Sequence, residues 1–254
     1  MFVSHKHRFV FFHIEKTAGS HIERELCRVL DEDHWRCVWG SEEWGNLNKQ
    51  KPADGQHTKH LGPKQLAGRW EKGQLDDYFK WAVVRNPWSL CLSYYSMMTQ
   101  WPKYASVQGF HCGKHGRIHP LNDYKDFTEF VELGGVGQGP APARNYLTSK
   151  LSNPCTRFLC GSVDPDLPVL VDHVAHYEDL QEEMDKITKQ IGIPSLDMQT
   201  RKQQLCDNGE PFDCSSTHRT PEEAYTAKTA AIVGRLNTID CKRFDYMDHK
   251  PVCD

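Results

Sequence analysis

With 254 residues, the chain is long enough for one α/β domain of ordinary size and too short for a second full domain. Lys and Arg number 31 against 34 Asp and Glu, a net charge of −3, which argues against nucleic-acid binding through a broad basic face and makes any anion site a local feature. No apolar run approaches the ~20 residues of a membrane span, and the first expected strand begins close behind Met1, which together predict an unexported cytoplasmic chain. Ten cysteines point the other way, since Cys155 with Cys160, or Cys206 with Cys214, would close small loops in an oxidising lumen. There is no C-x-x-C, so neither a zinc ribbon nor a thioredoxin-like redox pair is indicated.

Residues 9–14, Phe-Val-Phe-Phe-His-Ile, have the content and length of a buried parallel strand. The polar turn Glu15-Lys-Thr-Ala-Gly-Ser20 follows. A helix comes next, with Ile22, Leu26, Val29 and Leu30 at i, i+4, i+7 and i+8, and with Glu23, Arg24, Glu25 and Arg28 on the other side. Ser20 and Glu23 have the spacing of a capping box at its start. A strand that ends in a tight turn opening onto a helix N-terminus presents free backbone N–H groups and the positive end of the helix dipole, which is an anion site. Lys16 adds a point charge, Thr17 and Ser20 add hydroxyl donors, and Gly19 allows close approach to the backbone. Lysine precedes glycine here, the reverse of G-x-x-x-x-G-K-[ST], so the turn suits a phosphate but not ATP held in the Walker manner. The plainer alternative is an ordinary strand, turn and helix with a solvated lysine.

Residues 31–59 are polar and irregular, with a short strand expected around 35–39 and with Trp35, Trp39 and Trp44 packing the segment onto the core or stacking on a flat ligand. His57 and His60 close the stretch, as surface residues or as a general base, ahead of a helical turn over 63–68. The second buried strand is expected over 78–84. Asn86 as N-cap and Pro87 at the first helical position then put Arg85 at the carboxyl edge of a strand, where open α/β sheets bind ligands. Ser93 lies two turns into the helix on nearly the face of Asn86, so an arginine fork and a hydroxyl facing one space suit a second phosphate. A salt-bridged arginine and a helix-surface serine are the alternative.

Residues 101–120 lack periodicity. His111, His115 and His119 would converge only on a helix, which Gly113, Gly116 and Pro120 oppose, so a lid over an acceptor is the better reading and no metal is expected. A helix is expected over 123–133, a glycine- and proline-rich hinge over 134–142 and a third strand over 169–174. Leu180, Met184, Ile187 and Ile191 mark a helix stopped by Gly192 and Pro194. The last helix runs from Thr220, with Pro221 at its first position and Glu223 completing a capping box, to about Asn237.

With both phosphate candidates in hand, the chain resembles the sulfotransferases that use 3′-phosphoadenosine 5′-phosphosulfate (PAPS), nearest their carbohydrate and heparan branch. His13-Ile-Glu-Lys-Thr-Ala-Gly-Ser20 resembles the group's 5′-phosphosulfate loop, H-I-P-K-T-A-G-T, and Val84-Arg-Asn-Pro-Trp-Ser-Leu-Cys-Leu-Ser-Tyr-Tyr95 resembles its 3′-phosphate motif, V-R-[DN]-P-x-x-R-x-x-S-x-Y. His60-Leu-Gly-Pro-Lys-Gln-Leu66 resembles the segment with the family's catalytic histidine, His176-Tyr-Glu-Asp-Leu180 its Y-E-[DN]-L, and Cys241-Lys-Arg-Phe-Asp-Tyr246 its D-x-x-x-F-G-Y. Departures include Glu15, which stands for proline or glutamine, Leu90, for a common arginine expected on the helix surface, and Asp245, for glycine.

The resemblance implies a single α/β domain over 1–254, with a mainly parallel central sheet flanked by helices in a P-loop-like sulfotransferase fold. It implies that Lys16, Thr17, Ala18, Gly19 and Ser20 hold the 5′-phosphosulfate, that Arg85 and Ser93 hold the 3′-phosphate, and that Lys16 and His60 are catalytic, with His57 the rival base. Sulfuryl transfer to a hydroxyl of a carbohydrate or small-molecule acceptor would proceed in line, with no metal clamp. The rival readings are a nucleotide-dependent kinase on a related fold and a non-catalytic nucleotide-binding protein. A Golgi lumen is the alternative to the cytoplasm should a native anchor precede this chain.

Overall fold

The computed structural model describes residues 1–30, 34–36, 60–67, 73, 75–107, 124–135, 146–198 and 220–253. It divides into two compact units, Met1–Arg85 with Cys155–Thr200, and Asn86–Pro154 with Arg201–Asp254. In the first unit, β1 (Phe2–Ser4) turns through residues 5–8 into β2 (Phe9–Phe12), pairing antiparallel with Phe2 opposite Phe11 and Ser4 opposite Phe9. The sequence reading starts the sheet at residue 9 and runs the strand to 14. Three residues carry too little alternation to announce β1, and the strand stops at Phe12, although His13 and Ile14 stay buried.

Helix α1 (Gly19–Val29) follows, and then β3 (His34–Arg36), which pairs antiparallel with β1. This lies at the start of the strand expected around 35–39, and residues 37–39 are outside the described ones. After α2 (Pro63–Ala67) comes β4 (Phe79–Val84), parallel to β2 with Phe9 opposite Phe79 and Phe12 opposite Ala82. Strand β5 (His173–His176) pairs parallel with β4, Trp81 opposite His173 and Val84 opposite His176. The third strand thus falls later than the apolar run 169–174. Pairing with β4 sets its bounds, and Leu170 is left 39% exposed.

The sheet order is β3-β1-β2-β4-β5, and only β1 runs against the others, so the sheet is mainly parallel. Phe9, Phe11, Trp81, Val83 and Ala175 face Ile22 and Leu26 of α1 and Met184 and Ile187 of α7 (Leu180–Ile191). Val10, Phe12, Ala82 and Val84, which point to the opposite face, are buried as well. Burial on both faces is why β2 and β4 read as continuous apolar runs rather than alternating ones.

The second unit is helical. Its first helix, α3 (Pro87–Val107), begins as expected: Asn86 Oδ1 accepts from the N–H groups of Trp88 and Ser89 at 3.0 and 3.3 Å. Leu90 is buried rather than on the helix surface, so its departure from the family's arginine is a matter of packing. Helix α4 (Phe127–Gly134) starts later than 123 because Asp126 caps it, accepting from Glu129 N–H. The helices after it in the chain are α5 (Tyr146–Ser149) in this unit, α6 (Pro154–Cys160) where the chain returns to the first, and α7, already placed.

Thr220 and Glu223 form the expected capping box, but the last helix breaks. Helix α8 (Pro221–Ala224) ends at Tyr225, whose buried hydroxyl donates to the Trp88 carbonyl at 3.0 Å; Thr226 then caps α9 (Ala227–Leu236), and α10 (Thr238–Arg243) follows. One internal hydrogen bond therefore overrides a continuous helical pattern. The hinge expected over 134–142 and the polar stretch 195–219 lie mostly outside the described residues.

Gly192 ends α7 in left-handed backbone (φ 69), and a Cβ built there meets nothing within 4 Å. The cost of a side chain is therefore backbone strain alone, and Gly192→Ala should lower the unfolding free energy in urea by about 1–2 kcal/mol without changing the fold.

Candidate functional site

Strand β2 leads on, through α1, to β3 on one side of the sheet, while β4 leads on to β5 on the other. Their carboxyl ends therefore meet at a topological switch point, where α/β sheets take their ligands. At the end of β2, Lys16 and Ala18 both adopt left-handed backbone, φ 66 and 64. Each costs roughly 1–2 kcal/mol for a residue with a side chain, and such turns aim neighbouring N–H groups to one side. Thr17 between them is fully buried, and its hydroxyl donates to the Ile14 carbonyl at 3.0 Å, so the proton expected for a ligand is used inside the turn.

Helix α1 starts at Gly19 behind Ala18, without a side-chain cap, and the N–H groups of His21 and Ile22 donate to the Ala18 carbonyl. Ser20 is the exposed second residue of that helix rather than its cap. The expected capping box is absent because Glu23 turns inward: its Oε1 accepts from His13 Nδ1 at 3.0 Å and from the main-chain nitrogen of Met1 at 2.9 Å. The sequence held the signal, since Glu23 stands i, i+3 and i+7 with Leu26 and Leu30 on the inner stripe.

His13 is buried, and desolvation lowers its pKa to about 3 against the opposing pull of Glu23. Its ring lies on the backbone of Gly19, where a Cβ would come within 2.1 Å of it. Gly19 is thus needed first for this imidazole. His60, ahead of α2, stands edge-on to His13 with ring centroids 4.7 Å apart and has Nδ1 2.9 Å from the His13 carbonyl oxygen. His57 lies outside the described residues.

Arg85 leaves β4 and donates from a guanidinium nitrogen to the Lys16 carbonyl at 3.0 Å, while its plane packs 4.1 Å from the Tyr177 ring centre. Tyr177, tied by its N–H to the Val84 carbonyl, is a contributor that periodicity did not mark. Lys16 to Ser20, His60 and Arg85 are thus gathered in the first unit. Ser93 belongs to the second, on α3, and at 6% exposure is not a helix-surface serine.

A family sequence model, Sulfotransferase family, matches residues 1–247. The chain belongs to the sulfotransferase family. Comparisons with curated proteins and with solved structures gave no match. Membership implies transferase activity, with a sulfate donor and an acceptor substrate. The family's glycine at position 245 now has a reason: Asp245 takes φ 56 beyond α10, with Tyr246 N–H donating to the Cys241 carbonyl at 2.8 Å, and aspartate is one of the residues that tolerate this conformation.

Cys155 and Cys160 of this sulfotransferase both lie buried on α6 with no disulfide between them, so the small loop expected there is not closed, while Cys206 and Cys214 are outside the described residues. So are His111, His115, His119 and the lid segment from 108. Among the described residues no helix is long and apolar enough to cross a membrane.

The burial of neutral His13 has a measurable sign. The unfolded chain protonates this ring near 6.5 and the folded one near 3, so between those values the unfolded state binds more protons and stability falls as pH drops. The loss from this one ring is at most about 1.4 kcal/mol per pH unit. Denaturant unfolding between about pH 7 and pH 5 should record it, and His13→Phe, which does not titrate, should flatten that part of the profile.

Proposed function

We propose that this protein moves the sulfuryl group from PAPS to a hydroxyl of a carbohydrate or small-molecule acceptor, by in-line displacement with His60 as base. One observation carries the reading: Lys16, Arg85 and His60 are tied to a single run of main chain, with Arg85 on the Lys16 carbonyl and His60 on the His13 carbonyl. Cationic side chains and an imidazole converging on a strained turn, at a switch point, suit an anionic donor and a proton-losing acceptor.

The residues fit the donor's chemistry. The turn 16–20 and the Lys16 ammonium would take the 5′-phosphosulfate, with Thr17 contributing main chain rather than its hydroxyl. Arg85 carries five N–H donors, of which the Lys16 carbonyl takes one, and would hold the 3′-phosphate; Ser93 is assigned there by its motif. As the acceptor oxygen bonds to sulfur and the bond to the 5′-phosphate breaks, Lys16 would neutralise charge on the leaving phosphate while the acceptor's proton passes to His60. We take residues 1–254 as one sulfotransferase-like domain with no requirement for a metal.

3′,5′-Adenosine bisphosphate should raise the melting temperature without Mg²⁺, and ATP with Mg²⁺ should not; the reverse would favour a kinase. Arg85→Ala should weaken the bisphosphate by about 10- to 100-fold and adenosine 5′-phosphate little, because a charge-assisted contact of ~1.5–3 kcal/mol is lost only with the former. Equal losses in calorimetry would remove Arg85 from the 3′-phosphate.

Lys16→Ala should lower kcat more than donor affinity, since the charge it meets grows during bond breaking. Single-turnover kinetics at saturating donor measures this directly. Unchanged turnover with collapsed binding would make Lys16 a binding residue only.

A further inference from the structure

His60 hangs from main chain rather than from a carboxylate. The His13 carbonyl oxygen, 2.9 Å from His60 Nδ1, can only accept, so the neutral His60 ring carries its proton on Nδ1 and its lone pair on Nε2. Free histidine favours the opposite tautomer, so this one is imposed by the surroundings. The carbonyl in turn stands where His13 puts it. That ring is pinned on three sides: Nδ1 lies 3.0 Å from Glu23 Oε1, one face covers Gly19 with no room for a Cβ, and it meets the His60 ring at an interplanar angle of 75°.

We propose that His13, anchored by Glu23, is a positioning residue that locks His60 as its Nδ1–H tautomer and turns Nε2 toward the acceptor hydroxyl. The orientation toward an acceptor rests on the sulfotransferase mechanism proposed above; the tautomer does not. Burial keeps His13 neutral, its pKa lowered to about 3, so it does not compete with His60 for the acceptor's proton. Glu23 Oε1, which meets His13 Nδ1, is shared with the main-chain nitrogen of Met1. This arrangement gives the carboxylate a role in holding the base one residue removed, through a ring that does not itself exchange protons at neutral pH.

Nitrogen-15 NMR of the histidine side chains of the full chain reads the tautomer directly, with His60 assigned by the signal lost in His60→Ala. The wild type should show His60 protonated on Nδ1. Glu23→Gln keeps an acceptor for His13 Nδ1 and should keep this pattern, whereas His13→Phe keeps the ring's bulk, drops the tether and should shift His60 toward the Nε2–H form. In His13→Phe, kcat should fall about 10- to 100-fold with the donor KM unchanged, the cost of a misaimed base.

A wild-type His60 protonated on Nε2 overturns the proposal by itself, whether or not any variant folds, and so does a His13→Phe spectrum identical to wild type. The expected tautomer in a protein that transfers no sulfuryl group upholds the positioning and counts against the catalytic reading alone.

Discussion

Glu23 lies inside the first unit with one carboxylate oxygen shared between Met1 at the start of the hairpin and His13 at the end of β2, so a single buried anion joins both ends of the hairpin to α1. A buried carboxylate is tolerated only when its acceptor sites are filled, and once filled it holds its donors in fixed places. The consequences run outward. His13 is drawn down onto α1, its ring requires glycine at position 19, and the chain between them must close a tight turn with left-handed residues at 16 and 18. The strain of that turn is held by the contact beneath it, together with the Thr17 hydroxyl bond to Ile14.

The sheet supplies the rigidity against which this works. Strand β2 is paired on both sides, to β1 and to β4, and Phe11 lies 4.3 Å from Trp81 of β4, ring centre to ring centre. With both faces of these strands covered, their carboxyl ends are poorly able to drift. His13 and Arg85 therefore leave the sheet from adjacent, fixed points, which is what lets an arginine from one strand reach the main chain that follows the other.

The electrostatics are local, as the net charge of −3 requires. Arg85 is steadied by the face of Tyr177 and by the Lys16 carbonyl. Glu15, unusual beside an anion loop, is the one acidic residue between His13 and Ser20, and the carboxylate of Glu23 below is spent on internal partners.

Sequence alone determined the parts set by local chemistry. The apolar runs of β2 and β4, the Asn86-Pro87 helix start, the glycine stop of α7, the Thr220 box and the family motifs at 13–20 and 84–95 were legible because each depends on neighbours a few residues away. Tertiary structure decided what depends on distant partners. A three-residue β1, the late start of β5 and the break at Tyr225 follow from pairing with β2, pairing with β4 and a hydroxyl reaching Trp88. Glu23 was read as a cap because the spacing from Ser20 is local, and became the anchor of His13 because a buried donor outcompetes an end-of-helix amide that water can serve. The same holds for His60: its identity as a histidine was visible, but the nitrogen that carries its proton is fixed by a carbonyl 47 positions away in the chain.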